Sequence, residues 1–206
     1  ALAHIPAINA SPLAQVTAIC SARPLDAAAL AAQHGGPLRT FTRYEDLLRD
    51  PEVDAVSICS YHALHAEQVI AAAKAGKHII CEKPLALSWK DVRAVERAVK
   101  KAGVKFCICF ELRYSSQFLA LKALIDQGLL GTLHYGEVDY YHGVGPWYRE
   151  FQWCTTIKDC GSSLLEAGCH AMDALLLCLG DAVEEVASYG AKSASPTYAP
   201  YEYPPT

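Results

Sequence analysis

Two short stretches carry side chains whose types and spacing suit proton and charge transfer. In Gly161-Ser-Ser-Leu-Leu-Glu166-Ala-Gly168-Cys-His170-Ala-Met-Asp173, Glu166 and His170 are four residues apart and share one helix face. A carboxylate against an imidazole raises its basicity and fixes its orientation, as a general acid–base requires. Gly168, between them, removes a side chain where another body can approach. Alone, such a pair reads as a satisfied core histidine with its partner. The second stretch, Cys81-Glu82-Lys83-Pro84, follows directly on an apolar run and weighs against that reading. A lysine held there can donate to a hydroxyl and stabilise the alkoxide that grows on it.

Three further loops follow apolar runs. After residues 15–20 come Ser21-Ala22-Arg23, where a dinucleotide-binding unit carries an acid for a ribose 2′-hydroxyl or an arginine for a 2′-phosphate. Ser21 and Arg23 lean towards NADP over NAD; a solvated arginine at a helix N-terminus is the alternative. That position lies roughly 20 residues beyond a glycine fingerprint, which places the fingerprint before Ala1. After residues 53–59, Ser60, His62 and His65 sit at a helix N-terminus and can face a phosphate or ribose, or else form a capping turn with exposed imidazoles. His62, His65 and a cysteine make a metal site the minor reading.

The elements that must position these residues alternate. Strands are expected over 15–20, 53–59, 78–81 and 104–110. Helices are expected from Pro24 to the glycines at 35 and 36, over 62–76, and from the Ser88–Asp91 capping box through Val92, Val95, Val99 and Ala102. Strands separated by helices of this length predict βαβ units in a parallel sheet covered on both faces, with ligands at the carboxyl ends of the strands. After Arg113 the pattern changes. A helix over 116–128, a strand over 132–141, an aromatic stretch over 143–159, a buried helix over 162–179 and a strand over 183–192 predict a second, α+β domain. The expected division is 1–114 and 115–206, with both ends reading as cut.

The chain of 206 residues is 52% hydrophobic and 19% charged, with a formal charge of −4, which fits a folded globular protein. No basic block suggests nucleic acid. The longest wholly apolar run, 174–179, falls short of a membrane span. Nine cysteines without a C-x-x-C pair read as reduced thiols of a cytoplasmic protein, with Cys59, Cys81, Cys107 and Cys109 as small buried hydrophobes.

Asp54-Ala-Val-Ser-Ile through His65-Ala-Glu-Gln, then Ala75-Gly-Lys-His-Ile-Ile-Cys-Glu-Lys-Pro-Leu-Ala86, resemble the Gfo/Idh/MocA oxidoreductases; Phe110-Glu-Leu-Arg113-Tyr and the Gly161–Asp173 segment continue the likeness in order. The resemblance implies an α/β fold: a Rossmann-type, doubly wound parallel sheet, here without its first strand and glycine loop. A second, incomplete α+β domain with a mainly antiparallel sheet, used for homo-oligomer contacts, would follow. It implies hydride transfer between NADP or NAD and a carbohydrate or polyol, with neither nucleic acid nor membrane as partner. Lys83 would touch substrate and nicotinamide ribose, and His170 would be the acid–base. Ser21, Arg23, Ser60, His62, His65, Glu82 and Arg113 would line the cofactor side. Glu166 departs from the family's usual Asp, Glu111 from its Asn, and Tyr61-His62 from its Pro-Asn.

On this reading, Trp147, Tyr148 and Trp153 supply flat faces for a sugar ring, with His142 and Lys158 as hydrogen-bond donors beside Glu166. Two relatives of that chemistry stay open: NAD-dependent glycoside cleavage at the same site, and a non-catalytic dinucleotide-binding regulator.

Overall fold

The computed structural model describes residues 3–143 and 152–204. The chain divides into two compact units. One comprises Ala1–Ser60, Leu64–Glu82 and Ser88–Ile108; the other comprises Tyr61–Ala63, Lys83–Leu87 and Cys109–Thr206.

The first unit alternates helices and strands: α1 (His4–Asn9), β1 (Ala18–Cys20), α2 (Ala27–His34), β2 (Arg39–Phe41), α3 (Tyr44–Arg49), β3 (Ala55–Ile58), α4 (His62–Lys74, whose first residues belong to the second unit), β4 (His78–Cys81), α5 (Trp89–Ala102) and β5 (Phe106–Ile108). All ladders are parallel, β1 with β2 and β3-β4-β5 in that order. Parallel neighbours need a crossover, and α4 and α5 supply those of the second ladder.

Local chemistry sets the ends of these elements. Ser88 accepts from the Asp91 backbone N–H at 3.1 Å and donates to its carboxylate at 2.6 Å, capping α5 as expected. The helix expected at Pro24 begins later, because Asp26 is the residue whose carboxylate accepts from the Ala28 and Ala29 amides. Gly76, at φ 73°, turns the chain out of α4 towards β4. Lys77 then ties this corner to the end of α3, donating to the Asp50 and Val53 carbonyls at 2.8 and 2.7 Å.

Burial alternates along β3 and β4. Val56, Ile58, Ile79 and Cys81 are inside, packed in the unit whose core also holds Val69, Ala72 and Val95. Ala55, Ser57, His78 and Ile80 are exposed, so the two-sided helical cover is one-sided along these strands. Of the cysteines expected inside strands, only Cys81 is buried; Cys107 is exposed, and Cys59 and Cys109 fall just past strand ends.

The second unit holds a 3-10 turn (Glu111–Tyr114), α6 (Ser116–Asp126), α7 (Ile157–Cys160), a π turn (Leu164–Gly168), α8 (Cys169–Leu179) and a 3-10 turn (Pro196–Tyr198). The strands expected over 132–141 and 183–192 do not form, so no antiparallel sheet is found among the described residues. An extended segment becomes a strand only when a ladder partner takes its amides and carbonyls. Neither segment has one here, and Tyr141, Val186 and Tyr189 stand 94%, 78% and 94% exposed. The 132–141 segment instead packs on α8: a Cβ at Gly136 would lie 2.6 Å from Leu179 and 3.2 Å from Leu175.

By length and composition alone, the helical stretch Ile157–Leu179 is apolar enough to cross a membrane. Gly161 interrupts it at φ 87°, and it carries a charge-paired Asp173 that hydrocarbon disfavours.

Candidate active site

Lys83 and His170 meet the same helical element. β4 ends at the fully buried Cys81, and the Glu82 amide still bonds to the Ile58 carbonyl at 2.9 Å. The next residue, Lys83, donates its ammonium to the backbone carbonyl of Glu166 at 2.5 Å. Glu166 lies in the π turn one turn before His170. Burial pushes the Cys169 thiol up, while the Lys83 charge acts in the other direction, so the ammonium is felt beside the start of α8.

His170 is 7% exposed. Phe110 stands edge-on to its ring at 6.2 Å, and Tyr140 lies at 6.3 Å, itself stacked on His142 at 5.7 Å. The carboxylate against Nδ1 is that of Glu111, at 3.5 Å. Nδ1 is buried and makes no hydrogen bond among the described residues. The expected pairing of Glu166 with His170 is therefore replaced by one with Glu111. The physical reason is the π turn: its i→i+5 bonding adds a residue to the turn and offsets the i, i+4 register of a regular helix. Gly168 makes way for Leu164, whose Cδ2 would lie 2.9 Å from a Cβ there. Burial, then Glu111 and Glu166, push the Tyr140 phenol up, so both carboxylates face this patch.

Arg113 holds the neighbouring turn of α8 through a two-pronged pair with Asp173, Nε to Oδ2 at 2.7 Å and Nη2 to Oδ1 at 2.6 Å. The expected cofactor contact of Arg113 is thus a helix clamp in this structure. Asp173 was singled out only as the end of a motif; an aspartate three residues past a candidate histidine was the signal for it.

The remaining cofactor-side residues lie at strand ends. Ser21 follows β1 and accepts from the Arg23 amide at 3.2 Å; Arg23 is exposed. Ser60 donates to Gln68 at 2.7 Å. Glu82 is bound at 2.8 Å by Nε2 of His4, whose Nδ1 lies 2.8 Å from the Ser57 hydroxyl; neither partner was legible in the sequence. His65 has zero exposure and bonds to the Ser60 carbonyl at 3.1 Å, so it braces the loop and does not face a phosphate or ribose.

His62 is also buried, Nδ1 lying 3.7 Å from Cys160 Sγ and the ring edge-on to Trp153 at 4.8 Å. Trp153, expected as a sugar platform, has the Tyr61 ring tilted against it at 4.9 Å. Trp147, Tyr148 and Phe151 lie outside the described residues. Lys158 is exposed on α7, and His142 is exposed beside Tyr140.

Beneath α7 lies a buried cluster of Cys154, Cys160 and Tyr203. Hydrogen bonding from Cys154, opposed by burial and aided by His62 and Tyr203, pulls the Cys160 thiol down to about 5. The Cys154 thiol is pushed up, because its proton serves Cys160. Tyr203 donates to the Cys154 carbonyl, and the Glu202 carboxylate accepts from the Ile157 amide at 2.8 Å, strapping the C-terminal segment to this corner.

A family profile described as "Oxidoreductase family, NAD-binding Rossmann fold" matches residues 1–110, and the "GFO/IDH/MocA C-terminal domain" matches 118–202. The chain is 35% identical to the myo-inositol 2-dehydrogenase of Thermotoga maritima over 145 residues, 70% of this chain and 42% of that protein. A solved structure of a "probable dehydrogenase" from Thermotoga maritima superposes with TM-score 0.79 at 27% identity, covering 99% of this chain and 60% of that one. A levoglucosan dehydrogenase solved in complex with NADH and levoglucosan gives 0.70 at 27% identity, covering 87% and 49%. The chain spans about 40–60% of the length of these relatives.

Proposed function

The chain belongs to the Gfo/Idh/MocA oxidoreductase family, and from that premise we propose that it serves hydride transfer between a nicotinamide dinucleotide and a sugar or polyol hydroxyl. The observation that carries the reading is Lys83 bonded to the Glu166 carbonyl, one turn from a buried His170. The inositol and levoglucosan named for its relatives set the substrate class.

The donor set suits the dinucleotide. Ser21, Ser60 and Glu82 each stand just past the carboxyl end of a parallel strand, where such sheets bind nucleotides. Ser21, Arg23, Ser60 and Glu82 would hold it, and when bound it supplies the hydride acceptor or donor. The exposed Arg23, just past the end of β1, supports NADP over NAD. The break between the two matched profiles supports a domain division at 114/115.

The Lys83 ammonium, bonded to the Glu166 carbonyl, would also donate to the substrate oxygen and stabilise negative charge growing there. With Nδ1 enclosed beside Glu111, Nε2 of His170 is the atom that takes the hydroxyl proton in oxidation and returns it in reduction.

In the complete protein, Lys83→Ala and His170→Ala are each expected to lower kcat on polyol substrates about 10²–10⁴-fold. Dinucleotide binding, followed by nicotinamide fluorescence, survives in both. Near-normal turnover in either variant overturns the assignment. Titration of NAD(H) against NADP(H) with Arg23→Ala decides the cofactor preference.

A further inference from the structure

We propose that Glu111 is the positioning carboxylate of His170, a role that rests on His170 being the acid–base of the proposed reaction. A buried imidazole nitrogen is rarely left without a partner. Nδ1 of His170 has none, and the Glu111 carboxylate stands 3.5 Å from it, slightly beyond hydrogen-bond range. The Glu111 side chain is 69% exposed, so a small rotation closes the gap without repacking.

The surrounding elements keep that carboxylate in place. Glu111 opens the 3-10 turn whose Arg113 grips Asp173, three residues past His170 on α8. The ion pair therefore fixes the register that sets Glu111 against His170. Glu166, in the π turn, gives its backbone carbonyl to Lys83. Phe110 and Tyr140 flank the imidazole with aromatic rings, which lowers the local polarity and strengthens an ion pair between Glu111 and the imidazolium.

The proton accounting is simple. When Nε2 takes the proton of a substrate hydroxyl, the ring becomes imidazolium, and Glu111 accepts the Nδ1–H bond while staying ionised. No proton passes to Glu111. The titratable groups on the elements around His170 are Glu111 and Arg113 on the 3-10 turn, Glu166 on the π turn, and Cys169 and Asp173 on α8. Tyr140 lies near the ring with His142 stacked on it, and Lys83 bonds to the Glu166 carbonyl. Asp173 is paired with Arg113, and among the described residues the carboxylate within ion-pair distance of the ring is Glu111, so its loss tips the balance.

The test compares the complete wild-type protein with Glu111→Gln, Glu111→Asp and Glu166→Gln. In Glu111→Gln, kcat falls about tenfold with KM little changed, and the acid limb of the kcat–pH profile moves about one unit lower. Glu111→Asp restores part of both. The ring-nitrogen NMR titration of His170 shows the same displacement without needing turnover. Unmoved limbs and NMR midpoints in Glu111→Gln overturn the proposal, as does a displacement found in Glu166→Gln in its place. If no polyol is turned over by the wild type, the functional reading fails, and the NMR titration still decides the role of Glu111.

Discussion

The Arg113–Asp173 pair is open to quantitative test. Arg113 makes two charge-assisted bonds, at 2.6 and 2.7 Å, to a carboxylate that is only 9% exposed. Bonds to charged groups contribute about 1.5–3 kcal/mol each. The guanidinium is 44% exposed, so solvent screens it, and about half the sum is a fair expectation. The pair should couple by about 1.5–3 kcal/mol. Arg113→Met costs somewhat more, about 3–4 kcal/mol, since it leaves a buried carboxylate without its cation. Asp173→Asn costs about 2 kcal/mol because an acceptor oxygen remains. Urea denaturation of the wild type, both single variants and the double variant closes the cycle. If the two single losses add to the double loss within about 0.5 kcal/mol, the pair is not a clamp and the reasoning fails.

Gly161→Ala is expected to lose about 2–3 kcal/mol in the same urea assay. Its φ of 87° is unfavourable for a side chain, and the new Cβ would lie 2.7 Å from Leu165 and 3.2 Å from Leu87; a loss under about 0.5 kcal/mol counts against this. Cys160, pulled from 9.0 to about 5, is an acid whose folded value is depressed; its stabilisation is full above pH 9 and drains away as the pH falls through 5. The stability gap between wild type and Cys160→Ser should therefore narrow from pH 9 to pH 5, and a gap that does not change with pH contradicts the assignment.

Legibility in the sequence followed how local each signal was. β4 was readable to the residue because His78-Ile-Ile-Cys81 is an apolar run bounded by Gly76 and Pro84. α5 was readable because its cap and its valine spacing agree. β2 and α3 were missed: Arg39-Thr-Phe41 is too short to show a period, and its partner β1 lies in another segment. Residues 132–141 and 183–192 carry the valine and tyrosine that strands favour, but that composition says nothing about whether a neighbouring strand exists. His62 and His65 were read at a solvent-facing helix end. Burial of His62 depends on Trp153 and Cys160, some ninety residues away, which no local pattern contains. The Lys83 and His170 positions were legible as motifs; the exchange of Glu166 for Glu111 was not, because one π turn decides it.

That exchange has a geometric logic. On α8, His170 and Asp173 are three residues apart, a rise of about 4.5 Å. On the 3-10 turn, Glu111 and Arg113 are two residues apart, a rise of about 4 Å. The two pairs of groups therefore match in spacing, and their charges are complementary: acid then base on the turn, base then acid on the helix. Reversing the turn would set Arg113 against His170 and Glu111 against Asp173, base against base and acid against acid, and sliding it by one pair would make one of these contacts and lose both favourable ones. The buried face of α8 thus admits one register of the turn, and that register is the one that presents a carboxylate to Nδ1. A histidine set against the carboxylate of a neighbouring turn needs no carboxylate on its own helix, so the role proposed for His170 does not depend on Glu166.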